Sequence, residues 1–142
     1  MIRSNRPAAK AARRMALAAT LALAAIVPAT GHAATPAGLL AQFSAEAGAP
    51  ASAERGAQFF SQNHGREWSC SSCHGTPPTG EGRHASTGRA IRPLAPAFDA
   101  ERFTDEAKVA KWFRRNCRDV VGRECTAGEK ADLLAWLVSI RA

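Results

Sequence analysis

Cys70-Ser71-Ser72-Cys73-His74 gathers two thiols and an imidazole into five residues. In a helical segment, thiols three positions apart sit one turn from each other. That separation lets both sulfurs add across the two vinyl groups of one porphyrin, the C-x-x-C-H attachment pattern of a c-type haem. The histidine that follows then offers a ring nitrogen to the iron as the proximal axial ligand. Two other readings fit worse. A thioredoxin-like dithiol needs a βαβ context, which the pattern of the chain does not offer. A zinc site wants a second close pair of ligands, whereas the remaining cysteines, Cys117 and Cys125, are eight apart. Cys70 and Cys73 are therefore read as thioether anchors of one covalent haem c, and His74 as the iron's proximal ligand.

The other face of the iron is the open question. Both methionines, Met1 and Met15, fall in the N-terminal segment, so residues 34–142 offer no thioether. The remaining candidates are His64, His84, Lys108, Lys111, Lys130, Asn116, or no side chain at all. His64 precedes the motif by only six residues and reads as a loop histidine. His84 lies between turn residues, and the three lysines read as solvated charges. Asn116 is the odd one. Val109, Trp112 and Phe113 recur with helical spacing, and Asn116 occupies the next position of that stripe. A C-capping role is the plain alternative for it.

These residues need elements to hold them. Residues 1–33 read as a cleaved signal peptide. Arg3, Arg6, Lys10, Arg13 and Arg14 come first, then the 13-residue apolar run Met15–Val27, then Pro28 and the small residues Gly31 and Ala33 around a cleavage site. The run falls short of the roughly 20 residues that span a bilayer. Arg13-Arg14 hints at twin-arginine export, but the general secretory route suits a chain that receives haem after leaving the cytoplasm. The expected location is the periplasm, and residues 34–142 form the expected functional domain.

Of the 19 basic residues, five lie in the leader, so 14 remain against 12 acids, a net +2. The high isoelectric point thus gives no case for nucleic-acid binding. All four cysteines survive cleavage, and with two on haem the other two are free to pair in an oxidising compartment. A Cys117–Cys125 disulfide follows.

Four helices are expected and no convincing strand: an all-α, loop-rich domain around the haem. The first helix begins at Thr35-Pro36 with Leu39, Leu40 and Phe43, and stops at Gly48. Ser52 opens the second, which carries Phe59 and Phe60. The third starts near Thr104 and runs through the Val109–Asn116 stripe. The last opens on the capping box Thr126-Ala127-Gly128-Glu129 and carries Leu133, Trp136, Leu137 and Ile140. Residues 75–97, dense in proline and glycine, read as a long ordered loop of functional kind. Arg83, Arg89 and Arg92 are candidate partners of haem propionates. Trp68, Trp112 and Trp136 read as packing residues. Lys108, Lys111, Arg114, Arg115 and Arg118 form a basic cluster, read as a solvated helix face or a docking surface.

Further stretches carry a family likeness: Arg102-Phe103-Thr104-Asp105, Lys111-Trp112, Arg115-Asn116-Cys117, Val121-Gly122-Arg123-Glu124-Cys125-Thr126 and the run Gly128–Leu137. Ala49-Pro50, Ala53-Glu54-Arg55-Gly56 and Pro93-Leu94-Ala95-Pro96 add to it. The chain resembles the sphaeroides haem protein (SHP) family, oxygen-binding class I cytochromes c. The likeness is densest over 102–137 and weaker over 61–92. It implies a class I cytochrome c fold. It also implies Asn116 as the sixth ligand of the oxidised iron, next to the disulfide cysteine. On reduction the asparagine would leave, and oxygen, nitric oxide or carbon monoxide would bind. Oxygen reduction or nitric oxide turnover at the open iron is a possible extension. A diheme cytochrome c and a membrane cytochrome b are the implied redox partners. The competing function is a plain outer-sphere electron carrier with His74/His84 ligation.

Overall fold

The computed structural model describes residues 34–142; the signal peptide expected over 1–33 lies outside the described residues. Five helices and one very short strand pair make up the described chain. Helix α1 spans Pro36–Ala47, α2 Ala53–Ser61, α3 Cys70–His74, α4 Glu106–Val120 and α5 Ala127–Ser139; β1 is Gly82–Arg83 and β2 is Ala90–Ile91.

The helix starts follow local chemistry. Thr35, Ser52, Asp105 and Thr126 each cap a helix by accepting a hydrogen bond from a backbone N–H in the first turn. Those N–H groups have no intrahelical partner, so a side-chain oxygen there stabilises each start by about 1 kcal/mol. At Thr126 the box is reciprocal, because Glu129 reaches back to the Thr126 N–H at 2.8 Å. Proline at the start of α1 loses no hydrogen bond there.

The terminal helix packs across both early helices. Leu39 and Phe43 of α1, Val109 of α4, and Ala131 and Leu134 of α5 form the buried core cluster. Phe43 meets Phe113 edge-on at 5.7 Å, which joins α1 to α4. The α2–α5 crossing is tighter. A Cβ on Gly56 would overlap the carbonyl oxygen of Asp132, so glycine sets the approach of the two helices. Phe60 fills the space beside it, 4.8 Å from the Trp136 ring. Buried Asp132 ties the middle of α5 to the start of α2: it accepts from the Ser52 N–H at 2.6 Å and from Arg55 through both oxygens at 2.7 Å.

Three expectations need correction. The haem motif is itself a helix, so there are five among the described residues rather than four. The 75–97 loop contains an antiparallel strand pair, with Gly82 opposite Ile91 and Arg83 opposite Ala90. Two residues per strand leave no alternation to detect in a sequence. Finally, α4 continues to Val120, so Asn116 is four residues inside its end and caps nothing. Its stripe also turns: Val109 and Cys117 are buried and Phe113 is half-buried, while Trp112 and Asn116 are exposed.

Candidate haem centre

Ser69 nucleates the motif helix. Its side chain accepts from the Ser72 N–H, and the Ser72 hydroxyl accepts from the Ser69 N–H at 3.0 Å, a capping box one turn long. This places Cys70 and Cys73 at the two ends of a single turn with both thiols free. Burial pushes the Cys70 thiol up to about 11, with the neighbouring Cys73 adding to the rise. The same burial pulls the His74 imidazole down to about 4, and the positive charge of Arg102 lowers it further. At neutral pH the imidazole is therefore uncharged, the form that donates to a metal. Phe60 lies 6.3 Å from the His74 ring, which links the motif to the α2–α5 crossing.

Two neighbouring segments brace this turn. A Cβ on Gly82 would overlap the Cys73 carbonyl oxygen, so the strand pair lies directly on the motif backbone. Just beyond, the Ala85 N–H points at the Cys73 sulfur at 3.3 Å. His84 is in this turn, its Nδ1 3.2 Å from the Ser86 hydroxyl and its backbone N–H donating to the Arg89 carbonyl. On the other side, Arg102 donates to the carbonyls of Pro93 and Arg92, both at 2.7 Å, and pairs with buried Asp99 at 3.2 Å. Arg92 pairs with Asp99 and Glu101. Gly82, Asp99 and Arg102 escaped sequence reading. Gly82 and Arg102 meet backbone oxygens, which leave no residue-type pattern, and Asp99 accepts from Arg92, Arg102 and the Glu101 N–H, partners that only the folded loop brings to it.

The distal candidates separate. His64 Nε2 lies 2.9 Å from the Phe59 carbonyl and its ring 4.3 Å from the Phe59 ring, so it finishes α2. Asn116 makes no side-chain hydrogen bond among the described residues, and its carboxamide is exposed one position before Cys117. The Cys117–Cys125 disulfide is formed, with both cysteines buried at 5% and 6% exposure. Gly122 and Val121 both donate to the Cys117 carbonyl, closing the turn behind it. The structure thus unites Cys70, Cys73 and His74 on one turn, and Asn116 with the disulfide on another element. No hydrogen bond joins the two groups.

The donor set fits a c-type haem: two thiols on one turn, an uncharged imidazole beside them, and apolar surface for a macrocycle. The large apolar side chains Phe98 and Trp112 are 40% and 42% exposed. Side chains of that size are normally packed against something.

Comparison with known proteins identifies the family. A family model described as a domain of unknown function (DUF1924) matches residues 46–137. The cytochrome c-type protein SHP of Cereibacter sphaeroides is 51% identical over 116 residues, spanning 79% of this chain and 89% of that protein. The chain belongs to the SHP family of c-type cytochromes. The solved structure of oxidised SHP, an oxygen-binding cytochrome c, matches with a TM-score of 0.71, covering 76% of this chain and 99% of that one at 51% identity. A solution structure of Methylophilus methylotrophus cytochrome c'', concerned with haem-ligand detachment, matches at 0.65 and 33% identity, covering 75% and 94%. The expected fold is that of this SHP family, and as a c-type cytochrome the protein has haem c as its cofactor.

Proposed function

We propose that the protein is an exported monohaem electron carrier whose iron is held by His74 and Asn116 when oxidised and binds a diatomic gas when reduced. Cys70 and Cys73 would form the thioethers, and His74 would supply the proximal nitrogen. When bound, haem c supplies a one-electron couple and one further axial position. The observation that carries the reading is the state of Asn116: an exposed carboxamide with no competing hydrogen bond, carried by a helix whose neighbouring residue is locked by the Cys117–Cys125 disulfide.

A carboxamide is neutral and a weak donor. Asn116 would hold a ferric iron better than a ferrous one, so its carboxamide would leave on reduction. The position it vacates would then suit a π-accepting diatomic, and the gas site would be open only in the reduced protein. The relatives support this reading, one described as oxygen binding and the other studied for ligand detachment. The alternative ligand, His84, is engaged in a turn that lies against Cys73, on the motif's own backbone. That supports Asn116 over it. The reading also carries the expected periplasmic location, and the diheme cytochrome c and membrane cytochrome b as redox partners.

Optical spectra of the oxidised, reduced and carbon monoxide-treated holoprotein test the proposal. The expected outcome is six-coordinate ferric iron and a reduced form that binds carbon monoxide readily. A reduced form that stays six-coordinate and ignores carbon monoxide would support the plain electron carrier.

A further inference from the structure

The charge of this molecule is unevenly distributed. Helix α4 carries Lys108, Lys111, Arg114, Arg115 and Arg118 against only Glu106 and Asp119, a net +3. The rest of residues 34–142 holds nine cations against ten acids, a net −1. A domain of small total charge therefore has one strongly cationic helix. At 100° per residue the five cations fall within an arc of about 120°. Val109, Phe113 and Cys117 occupy the opposite, inward side. Trp112 and Asn116 lie along one edge of the arc.

All five cations are exposed. Arg118 is paired with Glu124 at 2.6 Å and Arg115 loosely with Asp119 at 3.9 Å. Lys108, Lys111 and Arg114 make no ion pair among the described residues. Lys111 and Arg115 stand over the Trp112 ring, each 5.7 Å from its centroid. Five cations on one arc repel one another and destabilise the isolated helix slightly. Apolar surface does not explain them, since the buried side of α4 lies opposite. A concentrated charge of one sign raises the encounter rate with an oppositely charged partner and orients it.

We propose that the cationic face of α4 is the docking surface for an acidic redox protein, which it orients with its electron-exchanging edge toward the Trp112–Asn116 border. This rests on the electron-carrier reading and adds to it the surface and the partner's chemistry. A membrane surface fits less well. A helix that lies in a bilayer interface turns a whole apolar face outward, whereas Val109, Phe113 and Cys117 of α4 turn inward and Trp112 is its one large apolar side chain left exposed.

Stopped-flow reduction of the ferric holoprotein provides the test, with reduced flavodoxin as the acidic protein probe and neutral lumiflavin semiquinone as the uncharged reductant. The wild-type rate with flavodoxin should fall steeply as salt rises. Lys111→Glu/Arg114→Glu should slow it at least about tenfold at low ionic strength. Arg141→Glu, away from α4, should slow it less than about twofold when set beside the single Lys111→Glu change of equal charge. Lumiflavin rates should be the same for all variants. A flavodoxin rate insensitive to salt, or slowed equally by Arg141→Glu, would overturn the proposal. So would an unchanged flavodoxin rate in the double variant with loss of its binding to phosphatidylglycerol-containing vesicles, which would assign the face to a membrane. Failure of lumiflavin to reduce even the wild type would instead remove the electron-carrier reading itself.

Discussion

Asn116 would join a weak, neutral donor to the iron without help from any other side chain, since its carboxamide has no hydrogen-bond partner among the described residues. Asn116→Ala should therefore keep covalent haem, because Cys70, Cys73 and His74 are untouched. Its ferric form should lose the sixth protein ligand, so water or added azide enters more readily and the ferric spectrum shifts toward high spin. Carbon monoxide binding to the reduced variant should persist. His84→Ala should change none of these signals; a loss of the low-spin ferric signature in the His84 variant alone would favour bis-histidine ligation. The imidazole of His74 poses a different matter. Burial and the charge of Arg102 hold it uncharged down to about pH 4. Its folded pKa is lowered, so the neutral form is the one that folding favours. By linkage the folded state loses stability as pH falls below the ordinary histidine range, where only the unfolded chain takes up the proton. Acid titration of an unligated chain, followed by circular dichroism, should show this loss, and His74→Phe should lessen it.

At the scale of elements, close backbone contacts decide the architecture. Gly56 lets α2 meet α5, and Gly82 lets the strand pair rest on the motif helix. Gly56→Ala must push the Asp132 backbone away and should cost about 3 kcal/mol or more in denaturant unfolding. Gly82→Ala should act locally: the global midpoint moves less, while haem attachment falls as the turn bearing Cys73 shifts. The disulfide works on α4. Cys117→Ser/Cys125→Ser should cost about 2.5 kcal/mol from loop entropy alone. It should also raise azide affinity of the ferric protein, since the helix end carrying Asn116 is no longer fixed. These contacts mark the limit of what the sequence makes legible. Thr35, Ser52 and Thr126 are legible because a cap is a bond between neighbours, and the core side chains Leu39, Phe43, Leu133 and Leu137 because helical spacing repeats; at α4 the cap is Asp105, one residue past the expected start at Thr104. The strand pair is not legible, because its register is set by docking on Cys73 and not by alternation. The α4 stripe was read as running straight through Trp112 and Asn116. Those residues share its spacing but sit at the edge of the buried arc.

For the whole molecule, the buried core cluster is small for about a hundred residues: Leu39, Phe43, Val109, Ala131 and Leu134. A domain of this length buries roughly two thirds of its unfolded surface and is modestly stable by itself. Phe98 and Trp112 contribute little to that core while 40% and 42% exposed. Covalent haem would add a large apolar body held at Cys70 and Cys73, so attachment and folding should be coupled. The proposed export predicts a periplasmic holoprotein with the mass of residues 34–142 plus one haem, and a haem that resists acid-acetone extraction. Cys70→Ala/Cys73→Ala should remove the cross-links while leaving α1, α2 and α5 with the same side chains. If haem completes the core, this variant should melt far below the holoprotein and over a broader range, with helical circular dichroism partly kept. A variant that melts cooperatively at the holoprotein's temperature would mean that the helices close on one another unaided. The haem would then be a passenger on a finished fold, and the coupling between redox state and the position of Asn116 would have to come from α4 and the disulfide alone.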